Sequence, residues 1–285
     1  MVEAVHVIGA SGRSGSALCR ALISEGVPLV PIVRDQHKWA TRNIAVAPRV
    51  ADLTDQISLR IALRDATSVV SSAHARHAAA VIAAAPPGGQ LIFLGSTRKF
   101  TRWPDEHGKG VIAGETAFLA SGRNGIMLHP TMIYGAEGEN NVQRLAVLLR
   151  RLPLLPLPGG GRALVQPIHQ DDVTRAIRAA LVRQWRGPRS LVIAGPEPVS
   201  YVDFIRLVAS AAGLPRLRTV AFPAAPLIAA AALSRLIPWV PDVTAAEVRR
   251  LLEDKAFDIG PMRTELGVEP VALEDGLART FSYRP

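Results

Sequence analysis

Val7-Ile8-Gly9-Ala10-Ser11-Gly12-Arg13-Ser14-Gly15 is the stretch whose reading decides the fold. Ala4 to Ile8 is a short apolar run that reads as a buried strand. Three glycines follow at a spacing of three, and Ser14 to Ser24 has a helical pattern. Strand, glycine turn and helix N-terminus in that order let a pyrophosphate approach bare backbone. The helix end adds unpaired N–H groups and the positive end of its dipole. The spacing is G-x-x-G-x-x-G, a departure from the G-x-G-x-x-G of the standard dinucleotide fingerprint. Gly9, Ser11, Gly12, Arg13, Ser14 and Gly15 are the residues expected beside the phosphates.

The next element bears on the nucleotide. Pro28 to Val33 reads as a second buried strand, and Arg34 ends it, 19 residues after Gly15. An acidic residue at this point accepts from a ribose 2′-OH and favours NAD, whereas an arginine accommodates a 2′-phosphate and favours NADP. Arg13 can reach the same phosphate. Asp35 follows directly and argues the other way, so NADP is favoured with NAD left open.

Strand–helix alternation continues through the first half. Strands are expected at Ala45 to Val50, Thr67 to Ser71, Gln90 to Leu94 and Ile126 to Leu128. Helices are expected at Ser58 to Leu63, Ala75 to Ala85 and Gly114 to Ala120. This is the pattern of an α/β Rossmann-type fold, a doubly wound parallel sheet with helices on both faces. The second half changes character. Pro153 to Gly161 reads as a loop, Val165 to Ile168 as a strand, and Val173 to Val182 as a helix with Asp171 or Asp172 as its N-cap. Leu191 to Ala194 is a further strand, and Tyr201 to Ala212 and Thr244 to Leu252 are helices. Val220 to Leu233 is nearly all apolar and too short to span a bilayer. It reads as a buried helix, with an interfacial helix near Trp239 as the alternative. The expected division is a nucleotide-binding domain over residues 1–136, rejoined by 165–195. Residues 137–164 and 196–285 then form a smaller substrate-binding region.

Composition agrees with an enzyme-sized folded chain. Its 285 residues are 48% hydrophobic and 20% charged, which argues against disorder. The single cysteine, Cys19, allows no internal disulfide and fits a reducing, cytoplasmic setting. It falls on the first helix and reads as core. No signal peptide and no transmembrane segment are visible. The formal charge of +9 comes from scattered arginines with few aromatics between them. It reads as attraction for an anionic cofactor and substrate, with no nucleic acid expected.

Further motifs carry a family resemblance. After the glycine turn and Arg34 come Asp52-Leu53, then Ser96-Thr97 behind the fifth strand. Glu115 and Ser121-Gly122 precede His129-Pro130-Thr131-Met132-Ile133-Tyr134-Gly135. Pro167-Ile168-His169-Gln170-Asp171-Asp172-Val173 and Leu266-Gly267-Val268-Glu269-Pro270 follow. In this order the chain resembles an extended or atypical short-chain dehydrogenase/reductase, of the NAD-dependent epimerase/dehydratase and NmrA-like type. The stretch from His129 to Gly135 is similar to the family's R-P-x-x-I/V-Y-G. The resemblance implies Asp52 and Leu53 against the adenine. Ser72, Ala73 and Pro130 are expected on the same cofactor-facing edge. Ser96 or Thr97 is placed to hydrogen-bond a substrate carbonyl.

One departure matters. Catalytic members of the family carry Y-x-x-x-K on the helix before the sixth strand. Counting back from Glu115, the lysine place falls on Val111 and the tyrosine place on His107, and no tyrosine occurs before Ile133. Lys109 is two residues out of register and would face away unless Gly108 and Gly110 keep the segment non-helical. His107 is the candidate replacement acid, with Ser96 and Thr97 as polarising hydroxyls. His74 and His77 have an H-x-x-H spacing with no third ligand beside them, so no metal is expected. His169 reads as a loop-ordering residue. Three readings remain open: an NADP(H)-dependent oxidoreductase or epimerase-like enzyme acting on a small carbonyl, hydroxyl or nucleotide-sugar-like substrate; a non-catalytic NADP(H)-sensing regulator; and an accessory subunit of a larger complex. A homodimer is compatible with any of them.

Overall fold

The structure, a computed structural model, describes residues 3–135, 141–152, 154–215, 217–226, 228 and 245–282. Its first half is the alternation read from the sequence. The elements are β1 (Val5–Ile8), α1 (Arg13–Ser24), β2 (Leu29–Val33), α2 (Gln36–Ala40), β3 (Arg49–Val50), α3 (Gln56–Leu63) and β4 (Ser68–Ser71). A 3-10 turn (Ala75–His77) leads into α4 (Ala78–Ala84), followed by β5 (Gln90–Leu94), α5 (Glu106–Ala120) and β6 (Gly125–Pro130). β1 and β6 are buried along their whole length, which is why they read as mainly apolar runs, interrupted only by His6 and His129.

The second half supplies β7 (Ile133–Tyr134), α6 (Asn141–Arg151), β8 (Leu154–Pro158), β9 (Leu164–Val165), β10 (Ile168–His169) and α7 (Gln170–Val182). It continues with β11 (Pro188–Ile193), β12 (Val199–Ser200), α8 (Tyr201–Ala211), β13 (Arg218–Phe222), α9 (Ala245–Arg250), α10 (Gly260–Leu266) and α11 (Leu273–Ser282). The seven-stranded central sheet has the order β11-β6-β5-β4-β1-β2-β3, with every pairing parallel. Chain order reverses between β1 and β4, and in doubly wound sheets the ligand crevice opens at that point, beyond the strand carboxyl ends.

Each sheet face has its own core. Leu18, Leu22, Val173, Ile177 and Met262 pack one side, and Leu59, Leu63, Val81, Val111 and Phe118 the other. A third core, around Val142, Leu149, Phe204, Val208 and Leu277, joins α6, α8 and α11 away from the sheet.

Several expectations need correction. Pro153 to Gly161 is not all loop, because Leu154–Pro158 pairs in parallel with Arg218–Phe222. Prolines are tolerated at a strand edge where no ladder N–H is needed, and in this two-stranded sheet Pro156 and Pro158 occupy such an edge. Val220 to Phe222 are therefore strand, not helix; residues 227 and 229–244, with Trp239, lie outside the described residues. The third strand shrinks to Arg49–Val50. Val165 to Ile168 divides between β9 and β10. The cap of α7 is His169, whose ring accepts from Asp171 N, and neither Asp171 nor Asp172 fills that place. Asp172 is instead buried, accepting from Val271 N at 3.0 Å and pairing with Arg175.

Candidate functional site

The glycine turn is built for close approach. Gly9 has φ +75°, and a Cβ there would lie 2.9 Å from Ser72 Oγ. Gly15, buried on α1, has no room either, since a Cβ would sit 2.3 Å from Gly9 O. That contact lets α1 start directly against the end of β1. Gly12 differs. It is the N-cap of α1, in extended conformation, and brings no capping side chain to the first-turn N–H groups. A Cβ on it would meet only Gly9 O, at 3.1 Å. Gly12, Arg13, Ser14 and Gly15 line a cavity of about 890 Å³ together with Ser72, Ala73 and Pro130. A glycine cradle on an uncapped helix N-terminus suits a pyrophosphate, so these residues fit a dinucleotide.

Toward the other end, Arg34 is exposed directly after β2. Asp52 is held below its ordinary carboxyl value by hydrogen bonds from Thr54, with Arg34 and His77 adding weaker attraction. Arg34, Asp52 and Leu53 stand outside the cavity that Arg13 lines. Arg42 was not foreseen: its Nε donates to Ser11 O at 2.9 Å, which ties the glycine turn to the segment after α2. Asp35 turns inward on its own chain, capping α2 through His37 N and Lys38 N.

A second cavity of about 820 Å³ adjoins the first, and Ser96, His107, Thr131 and Asn141 line both. His107 lies in the first turn of α5, which begins at Glu106 under the cap of Asp105. The segment around Gly108 and Gly110 is therefore helical. Lys109 faces away and pairs with Glu106, while Val111, in the family's lysine place, is buried core. His107 Nδ1 is 3.1 Å from His74 Nε2, and the two rings meet edge to face. Burial takes the His74 ring down to about 4, with His107 adding to the effect. Burial and the Arg98 guanidinium lower His107, against the pull of Asp105. Both rings are thus neutral near pH 7.

The two hydroxyls separate in role. Thr97 Oγ1 donates to Pro130 O at 3.3 Å and lines only the second cavity. Ser96 Oγ accepts from Arg98 N at 3.1 Å, which leaves its proton to give. Ser96 is anchored from behind, because its N–H donates to His129 Nδ1 at 3.2 Å. His129 is fully buried, and burial takes it down to about 4. Its Nε2 lies 3.1 Å from Glu115 Oε1, which also accepts from Lys99 Nζ at 2.5 Å and from Ser190 Oγ. The motif residues Glu115 and His129 thus form a buried polar cluster beneath Ser96.

Sequence reasoning did not single out Gln170 or Arg42 for the site. Gln170 Oε1 accepts from Ser14 Oγ at 3.0 Å, closing the first cavity over α1. No spacing rule links residues 156 positions apart. His169 Nε2 is buried without a partner among the described residues, and the ring lines the first cavity beside Tyr134.

The comparisons agree with this geometry. Residues 9–108 match the family described as NAD(P)H-binding. No curated protein matches the chain. Among solved structures, a protein described as gox2253 is 20% identical with a TM-score of 0.75, over 98% of this chain and 97% of that one. The UDP-glucuronic acid 4-epimerase from Bacillus cereus, in complex with UDP-glucuronic acid and NAD, is 18% identical with a TM-score of 0.73, over 99% and 98%. The NADPH-dependent quinone oxidoreductase of Escherichia coli, complexed with NADPH, is 18% identical with a TM-score of 0.70, over 97% and 99%. At such identities the likeness is one of fold. The chain therefore shares the Rossmann-type fold of these structures, and its residues 9–108 match the NAD(P)H-binding family.

Proposed function

We propose that the chain is an NADP(H)-dependent oxidoreductase or epimerase-like enzyme acting on a small carbonyl, hydroxyl or nucleotide-sugar-like substrate. The observation that carries this reading is the place of His107, which lines both the glycine-turn cavity and its neighbour. A hydrogen-bond donor belongs at such a junction, between a hydride carrier and the oxygen of the carbonyl whose carbon takes the hydride.

Gly9, Gly12, Gly15, Ser11 and Ser14 hold the pyrophosphate on the N-terminus of α1. Arg34, helped by Arg13, holds the 2′-phosphate, with Asp52 and Leu53 beside the adenine. Ser72, Ala73 and Pro130 bound the cleft toward the junction. When bound, NADP(H) supplies or accepts a hydride. Ser96 orients the substrate oxygen, and the neutral His107 ring donates a hydrogen bond to it, while the proton that completes the reduction is drawn from water. Thr97 supports the junction by holding the Pro130 carbonyl rather than by contacting substrate.

The burial of Val111 at the lysine place favours the second reading, a nucleotide-binding sensor or accessory subunit without turnover. NADPH oxidation separates the two. The enzyme reading expects consumption of NADPH with at least one member of a panel of quinones, aldehydes and nucleotide sugars. It also expects His107→Ala to lower turnover roughly 10²–10⁴-fold with NADPH affinity intact. NADPH bound tightly and never consumed across the panel overturns it.

A further inference from the structure

The chain holds two histidines whose ring nitrogens meet at the cavity junction, and the geometry around them fixes which nitrogen carries each proton. His74 precedes the 3-10 turn Ala75–His77, and its Nδ1 accepts from Arg76 N at 3.1 Å. A neutral imidazole that accepts at Nδ1 carries its proton on Nε2. That Nε2 is the atom facing His107 Nδ1 at 3.1 Å. His107 Nδ1 must then be a lone pair, and the His107 proton sits on Nε2. The order runs from a backbone N–H, through two imidazoles, to one outward N–H.

We infer that His74 is a positioning residue that locks His107 in the Nε2–H tautomer, so that the junction offers a hydrogen-bond donor and takes ligands that present an oxygen acceptor there, such as a ketone, aldehyde or quinone carbonyl. The inference rests on the reading of His107 as the group facing substrate. A neutral imidazole N–H can polarise a carbonyl oxygen without first becoming a cation. The N-terminus of α5 strengthens this state, since its dipole disfavours a positive ring.

Other charges at the pair are accounted for. Arg76 and His77 flank His74 on the 3-10 turn, Arg98 comes from the segment after β5, and Asp105 caps α5. Asp105 is engaged with Arg98 and Arg250, which weakens its hold on a protonated imidazole. Packing also fixes the His74 ring in place: a Cβ on Gly110 would fall 2.9 Å from His74 Cε1. Acidification breaks the arrangement, because a protonated His107 would carry a hydrogen at Nδ1 facing the one on His74 Nε2.

The test is nitrogen NMR of the full chain labelled with ¹⁵N-histidine, at pH 7.5 and without cofactor. Loss of one signal set in His107→Gln and in His74→Gln assigns the two rings among the seven histidines. The expected result is a protonated Nε2 and a bare Nδ1 on both rings. In His74→Gln the amide N–H can still donate to His107 Nδ1, so the His107 tautomer should persist. In His74→Phe it should relax to a mixture. A proton on His107 Nδ1 in the unaltered chain overturns the inference. So does a His107 tautomer that is unmoved in folded His74→Phe. Turnover is read separately: a lost tautomer with His107-dependent turnover retained rejects this inference alone, whereas the expected tautomer with no turnover on any substrate rejects only the enzyme reading.

Discussion

Replacing Glu115 by alanine should be among the most damaging single changes in the chain. The Lys99 and Glu115 side chains are only 12% and 14% exposed, and Glu115 Oε1 is the meeting point of Lys99, His129 and Ser190. Glu115→Ala leaves the Lys99 ammonium buried without its counter-ion, which costs about 3–5 kcal/mol. For a chain of this size that is a fall of roughly 6–20 °C in Tm, at about 2–4 °C per kcal/mol. Removing both charges, in Lys99→Met with Glu115→Leu, should be milder than the single change, since no orphan charge remains. Burial pushes the Glu115 carboxyl up, but Lys99, Ser190 and His129 outweigh it and hold it below its ordinary value. A carboxylate depressed in the folded state contributes stability above its unfolded pKa of about 4.3, and that contribution is lost as pH falls below it. Denaturant unfolding at pH 7 and at pH 4 reads each effect. A loss under about 1 kcal/mol for Glu115→Ala, the range of an exposed pair, would refute the reasoning. A double variant as unstable as the single one would do the same.

Other outcomes follow from single observations. Arg34→Ala should raise the Kd for NADP tenfold or more and leave NAD nearly unchanged, because a charge-assisted bond contributes about 1.5–3 kcal/mol; calorimetry showing equal losses would remove Arg34 from the 2′-phosphate. Gly12→Val should abolish dinucleotide binding while the chain still folds, whereas Gly15→Ala should lower Tm as well, because its Cβ meets backbone at 2.3 Å. His129 is neutral when folded and titrates near 4, below its unfolded value of about 6.5, so stability should decline as pH drops from 6.5 toward 4 by about 3 kcal/mol. His129→Gln should flatten that decline, as seen by denaturant titrations across the range. Lys109→Ala should leave turnover unchanged, since Lys109 faces Glu106 and not the junction.

The legible part of this chain is what local chemistry controls. Val5–Ile8, Gln90–Leu94 and Tyr201–Ala211 fall where apolar runs and periodicity place them, because fully buried parallel strands and amphipathic helices leave such patterns. The register of α5 was also readable. Two residues along a helix turn a side chain about 200°, and Lys109 does point away from the site. Leu154–Pro158 was not readable, since its partner Arg218–Phe222 lies some 60 residues on and its prolines imitate a loop. The start of α5 was missed because Gly108 and Gly110 have low helix propensity, which Asp105 capping and packing override. The contact of His74 with His107, 33 residues away, was not legible either. Separations of that kind are set by tertiary packing, and no sequence period encodes them.

A crystal structure of the chain soaked with NADP tests the central claim most directly. The pyrophosphate should lie on the Gly12–Gly15 cradle, the 2′-phosphate beside Arg34, and nicotinamide C4 should face the junction bounded by Ser96, His107 and Thr131. A nicotinamide directed away from that junction, or a dinucleotide seated anywhere other than the N-terminus of α1, would contradict the account.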